Sequence, residues 1–260
     1  MTALTIQNVS FWYRDTSKVI NNLSVDIQDN QIVALLGANG VGKSTFLKLC
    51  LGFLTPTAGK VLVYGKNLRT QPHSFIGKNI AYTPQSPVYP YQLSVMDYIL
   101  LGRTPHLRSY ESPHFEDRKI VSEILENLEI NHLAHRSLQE ISGGEKQLAT
   151  FARVAAQNTP ILLLDEITSD LDIRNTLKVI QVLTELKHNH TILVSTHDPQ
   201  IAEAIADTLI LFQPNQVIKS GSPMCLLTTD NLSETYRIPI SAITEKPIQI
   251  LWNHKTNKDA

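Results

Sequence analysis

The sequence predicts an α/β fold: a mostly parallel sheet with helices on its faces, and a helical lobe inserted at about residues 86–158. Three observations lead there. Residues 32–36 and 161–164 are continuous apolar runs, the pattern of strands buried on both faces. After Pro160, strand-like and helix-like stretches alternate, which calls for parallel strands joined by crossover helices. Between these regions apolar residues recur at helical spacing instead.

From the N-terminus, Leu4, Ile6 and residues 9–11 read as a strand, and Leu23, Val25 and Ile27 as a second strand with one apolar face. The run at 32–36 leads into a Gly-rich turn, after which Phe46, Leu47, Cys50 and Leu51 recur with helical spacing. Val61 and Val63 alternate into a further strand before Gly65. In the lobe, Ser94 with Asp97 predicts a capping box, opening a helix with Val95, Tyr98 and Ile99 inward. Ile120, Val121, Ile124, Leu125 and Leu128 form the apolar stripe of a second helix. Beyond Pro160, strands are expected at 161–164, 191–195 and 208–212, with a helix over about 174–187.

Composition narrows the function classes. With 260 residues, 42% of them hydrophobic and 18% charged, the chain reads as an ordinary soluble globular protein. Lys plus Arg number 23 against 24 Asp plus Glu, so no net field attracts nucleic acid or an anionic membrane. No run approaches the ~20 apolar residues of a spanning helix. The start, Met1-Thr2-Ala3-Leu4-Thr5, lacks the basic and apolar regions of a secretion signal, so a cytoplasmic protein is expected. Cys50 and Cys225 have no ligand-like spacing and read as buried small apolar side chains.

Gly37-Ala38-Asn39-Gly40-Val41-Gly42-Lys43-Ser44 fits G-x-x-x-x-G-K-S/T between a buried strand and a helix. The glycines let backbone N–H groups turn inward around phosphate oxygens, and the helix start, continuing through Thr45, adds free donors and a positive dipole end. Lys43 supplies a point charge for the β- and γ-phosphates, and the Ser44 hydroxyl a hard ligand for Mg²⁺. That motif suits kinases, GTPases and ATPases alike. Asp165 and Glu166, at the end of the 161–164 run, narrow the choice. Asp165 is suited to holding Mg²⁺ through its water shell, and Glu166 to polarising an attacking water, so the site reads as hydrolytic.

Residues 141–147, Ile-Ser-Gly-Gly-Glu-Lys-Gln, begin a helix with Leu148, Phe151, Ala152 and Ala155 on one face, shortly before the Asp165 strand. Ser142, Gly143 and Gly144 offer donors at a helix start, as the phosphate loop does. The stretch resembles the L-S-G-G-Q signature of ABC ATPases, with Ile for Leu and Glu for Gln. Up to about Tyr236 the chain resembles an ABC transporter ATP-binding subunit. That resemblance implies a P-loop NTPase (RecA-like) core with an antiparallel N-terminal β-subdomain and an inserted helical subdomain. It assigns residues 1–238 to the ATPase domain and leaves 239–260 as a C-terminal tail.

The resemblance also implies roles. Gln85, following Tyr82-Thr83-Pro84, is the Q-loop glutamine at the Mg²⁺ and at the junction with the lobe. Ser169 and Asp172 belong to the D-loop. His197, at the end of the 191–195 strand, is the switch histidine, and Tyr13 in Phe11-Trp12-Tyr13 stacks on adenine, with Phe11 in the core. Ile167 stands where the family usually has Pro, and Asp170 where it commonly has Ala. Neither change removes a phosphate, metal or water ligand, so turnover is expected to persist.

The partners implied are ATP as substrate, Mg²⁺, a second ATPase subunit in a homodimer, an integral-membrane permease dimer and a substrate-binding protein. Each ATP would lie between residues 37–45 of one subunit and 142–144 of the other, at the cytoplasmic face of the inner membrane. No nucleic-acid partner is expected. Leu101-Gly102-Arg103-Thr104-Pro105-His106, residues 155–160 and Leu171-Asp172-Ile173 resemble the importer branch that serves iron-siderophore, haem and cobalamin permeases. Molybdate importers share the architecture, and exporter ATPases and non-transport ABC ATPases stand as alternatives. The chain has a single cassette, and its insertion is short and not a coiled coil.

Overall fold

The computed structural model describes residues 1–14, 18–90, 92–108 and 110–239. Of the tail expected at 239–260, all but residue 239 lies outside them.

In chain order, β1 (Thr2–Phe11), β2 (Ile20–Gln28) and β3 (Ile32–Leu36) precede α1 (Lys43–Cys50). Next come β4 (Ala58–Val63), β5 (Lys66–Asn67), α2 (His73–Asn79) and β6 (Ile80–Thr83). The longer helices of the middle segment are α3 (Val95–Leu100), α4 (Phe115–Asn127) and α5 (Gly143–Gln157). Then follow β7 (Ile161–Asp165), α6 (Ile173–Leu186), β8 (Thr191–Thr196), α7 (Pro199–Ile205) and β9 (Thr208–Phe212). The described chain closes with β10 (Ile218–Gly221), α8 (Pro223–Leu226) and α9 (Thr229–Tyr236).

Two sheets result. One is antiparallel, in the order β2-β1-β4-β5; the other has the order β10-β9-β3-β8-β7-β6. From β9 to β6 the strands of the second sheet are parallel, and β10 is antiparallel at its edge. The α/β class and the antiparallel N-terminal strands are as expected.

Strand periodicity sorts the core into two halves. Val33, Leu35, Ile161, Leu163, Leu193 and Phe212 point to one face of the parallel sheet, where they meet Phe46 and Leu47 of α1 and the antiparallel sheet. Ala34, Leu36, Leu162, Leu164, Ile192 and Val194 point to the other, where they meet α5, α6, α7 and the lobe. Each fully buried Leu, Ile or Val favours the folded chain by about 1.5–3 kcal/mol before entropy is counted. Burial on both faces is why these strands read as unbroken apolar runs.

The helix caps follow the sequence, with one change. Ser94 Oγ accepts the Asp97 N–H at 3.1 Å, but it also donates to Asp97 Oδ2 at 2.7 Å, so that carboxylate holds the hydroxyl. Ser142 and Glu145 form a full capping box at α5. The cysteine expectation needs correction: Cys50 is buried, whereas Cys225 is exposed. The cause is α8, a four-residue helix with no buried residue, which is too short to turn a full apolar face inward.

Candidate functional site

The inner parallel strands end on one side of the sheet, where ligands bind in open α/β sheets. β3 runs into the loop 37–42, β7 ends in Asp165 before Glu166, β8 leads to His197, and β6 stops two residues before Gln85.

The loop's backbone explains its glycines. Gly42 has φ +118° and caps α1; a Cβ there would sit 3.0 Å from Val19 Cγ1 as well as being strained. A Cβ on Gly37 would approach the Phe212 carbonyl oxygen to 2.6 Å. Lys43 is buried, and its Nζ donates to the carbonyls of Gly37 at 2.7 Å and Ala38 at 3.1 Å. Burial pulls its pKa below the ordinary lysine value, while Glu166 and Asp165 oppose that shift; Glu166 Oε1 lies 3.7 Å away. Val41 packs against the core beneath the loop. Asn39, Gly40, Ser44 and Thr45 line the cavity above it, together with Tyr13, Gln85 and Glu166.

Both acids are buried, and each carboxylate accepts at least one hydrogen bond. Asp165 Oδ1 accepts from Ser195 Oγ at 2.6 Å and Ser44 Oγ at 3.1 Å, and its N–H donates to Thr83 Oγ1 at 3.2 Å. Glu166 Oε2 accepts from Gln85 Nε2 at 2.7 Å. The Glu166 backbone is left-handed, φ +51°, a conformation costing about 1–2 kcal/mol for a residue with a Cβ. Three side chains hold it there. Its N–H donates to Ser195 Oγ at 2.9 Å, and its carbonyl accepts from Ser169 Oγ at 2.9 Å and Gln147 Nε2 at 3.2 Å. Such a strained residue persists because its surroundings over-determine it.

Tyr13 reaches the cavity: its hydroxyl is 3.2 Å from Thr45 Oγ1, and its ring stands edge-on to the buried Phe11 ring, centroids 4.9 Å apart. His197 is exposed and lines an adjoining cavity with Glu166 and Ser169. Asp172 Oδ1 caps α6 by accepting the Asn175 N–H at 2.7 Å. Ser142, Gly143 and Gly144 do not line the phosphate-loop cavity. Gly143 and Gly144 border a separate one, shared with Gln85 and Asp170.

Three residues of this network had been given no role by the sequence: Ser195, Thr83 and Gln147. The one available signal was a hydroxyl residue at the tip of a strand beside the acidic one. Ser44 Oγ and Asp165 Oδ1 are hard oxygens 3.1 Å apart, a pair suited to Mg²⁺. Among the described residues no three His, Cys, Asp or Glu gather as a metal site, so the cation would be shared with phosphate oxygens and water.

A strand, a Gly-rich loop closing on a buried lysine, and an acid pair on the neighbouring strand define a P-loop nucleotide hydrolase. The ABC transporter family model matches residues 20–169, and the chain belongs to that family as an ATP-binding, ATPase subunit. It is 34% identical over 240 residues to the molybdate import ATP-binding protein MolC of Haemophilus influenzae, covering 92% of this chain and 89% of that one. It is 31% identical over 259 residues to the iron(3+)-hydroxamate import ATP-binding protein FhuC of Bacillus subtilis, covering 97% and 96%. The structure of a putative metal-chelate type ABC transporter in an inward-facing conformation superposes with a TM-score of 0.80 at 34% identity, covering 92% of this chain and 90% of that chain. Among the described residues no helix is long and apolar enough to cross a membrane.

Proposed function

We propose that this chain hydrolyses MgATP to power import of a metal chelate, with a ferric siderophore as the first cargo to test. The observation that carries the hydrolytic reading is the convergence of Lys43, Asp165, Glu166 and Gln85 beneath one cavity. Residues 37–45 hold the phosphates through backbone N–H groups and the Lys43 ammonium, while Tyr13 stacks on adenine. Ser44 and Asp165, with Gln85, would hold Mg²⁺, which would supply positive charge to offset the charge developing on the phosphates. Glu166 accepts the proton of the attacking water, and Gln85, bonded to that carboxylate, orients it. His197 contacts the γ-phosphate from the side of the adjoining cavity.

The subunits act as a homodimer. Ser142, Gly143 and Gly144 lie away from their own phosphate-loop cavity, which supports their closing on the partner's ATP, with Ser169 and Asp172 at the seam. The domain spans 1–238, its helical part at about 86–158 faces the permease, and the assembly sits on the cytoplasmic face of the cell membrane with a substrate-binding protein opposite. Resemblance to the iron(3+)-hydroxamate subunit supports the ferric cargo, and resemblance to the molybdate subunit supports molybdate as the second reading.

A strain lacking the gene, and any redundant importer, should fail to grow on a chelated iron source. The parent sequence should rescue it and Lys43→Ala should not. Normal chelated-iron uptake with lost molybdate uptake would move the cargo to molybdate.

A further inference from the structure

We propose that Tyr236 is a positioning residue for His197, through which α9 sets the geometry of the hydrolytic site. This deepens the proposed function and rests on its reading of His197. The Tyr236 hydroxyl, at the end of α9, donates to the His197 carbonyl oxygen at 2.8 Å. The His197 ring is exposed, so its direction depends on how the backbone beneath it is held. On the inner side the loop is tied by its own turn. The Asp198 N–H donates to Thr196 Oγ1 at 3.0 Å, and Asp198 Oδ1 accepts the Gln200 N–H at 2.8 Å. On the outer side Tyr236 supplies the tie.

The donor is itself fixed. Its ring packs against the core cluster on the α5–α7 face of the sheet. Burial, and then the neighbouring charge of Asp198, push the phenol's pKa up, so it keeps its proton and remains a donor. α9 is anchored to the sheet edge rather than to the phosphate loop. Gln213 Nε2 donates to Glu234 Oε2 at 3.0 Å, Lys219 Nζ donates to Asn231 Oδ1 at 2.8 Å, and Thr228 Oγ1 caps the helix. A line of hydrogen bonds therefore runs from Gln213 and Lys219 through α9 to His197, and none of these bonds reaches residues 37–45 or Asp165. Loosening it should cost turnover and leave ATP binding intact.

The test is Tyr236→Phe, which keeps the ring and its packing. Loss of one hydrogen bond to the loop should lower kcat about 3- to 10-fold with the KM for ATP within about twofold. The His197 Cε1–H resonance, assigned by its absence in His197→Ala, should shift or broaden. Parental kcat, or an unmoved His197 resonance, overturns the proposal. The underlying reading fails separately: if His197→Ala turns over ATP at the parental rate, His197 is not catalytic, whatever Tyr236→Phe does.

Discussion

Ser195→Ala is the most informative single change at the acid pair, because one buried hydroxyl serves both acids. Ser195 is 0% exposed; its Oγ donates to Asp165 Oδ1 at 2.6 Å and accepts the Glu166 N–H at 2.9 Å. Truncation strands a buried N–H, which costs about 1–3 kcal/mol, and removes a charge-assisted bond of about 1.5–3 kcal/mol. Asp165 keeps Ser44 Oγ, and the two losses share one atom, so they do not add in full. We expect about 3 kcal/mol of destabilisation. For a domain of this size that lowers Tm by roughly 6–12 °C. Glu166 also loses one of the ties holding its left-handed backbone; with Glu166 as the proposed base, its carboxylate then drifts from the attacking water, and kcat should fall at least about tenfold. Thermal melts and phosphate release on the same preparation read both effects. A Tm within about 2 °C of the parent, together with parental kcat, would refute the bridging role.

Three further outcomes bear on the site. Lys43→Ala should abolish phosphate release, because it deletes the charge nearest the transferred group; near-parental turnover would sink the assignment. Glu166→Gln should bind MgATP yet hydrolyse it very slowly, so size-exclusion chromatography with ATP should reveal a dimer that the parent does not accumulate. A monomer at saturating ATP argues against that base. Ser142→Arg should lose turnover while the isolated chain still binds ATP, and mixing it with Lys43→Ala should restore part of the activity. Absence of recovery, where mixed dimers are shown to form, contradicts the sandwich.

The sequence exposed those parts of the molecule whose physics is local. The runs at 32–36 and 161–164 gave away their strands because both faces are buried. Leu148, Phe151, Ala152 and Ala155 announced α5, since an apolar face at helical spacing is a pattern of near neighbours. β6 and β10, four residues each, and α7, seven residues with Pro199 at its start, were not expected, because such short segments carry too few periods to register. In the site, Lys43, Asp165 and Glu166 sat in readable motifs. Ser195, Thr83 and Gln147 gained no role from theirs, since each acts on a residue 19 or more positions away. Partners of that kind become visible once the strands are aligned. Cys225 shows the converse error: an apolar residue type was assigned to the core without an element to carry it there.

The two departures from the family pattern meet at one turn, and the structure gives each a physical setting. A proline after the acid pair would fix its own φ near −65° and thereby stiffen the turn. Ile167 imposes no such limit. Instead its side chain is buried among the residues on the α5–α6 face, and its carbonyl accepts from Gln147 Nε2 at 2.7 Å. The same amide also reaches the Glu166 carbonyl at 3.2 Å. Rigidity that a ring would supply within the chain is thus supplied from α5, the helix whose first turn carries Gly143 and Gly144. Asp170 lies on the exposed side of that turn, and its carbonyl oxygen faces Gly144, 3.7 Å from where a Cβ would stand. Glu166, the proposed base, is therefore tied directly to the helix whose first turn carries Gly143 and Gly144. A shift of α5 along its axis must move the Gln147 amide, and with it the strained backbone of Glu166.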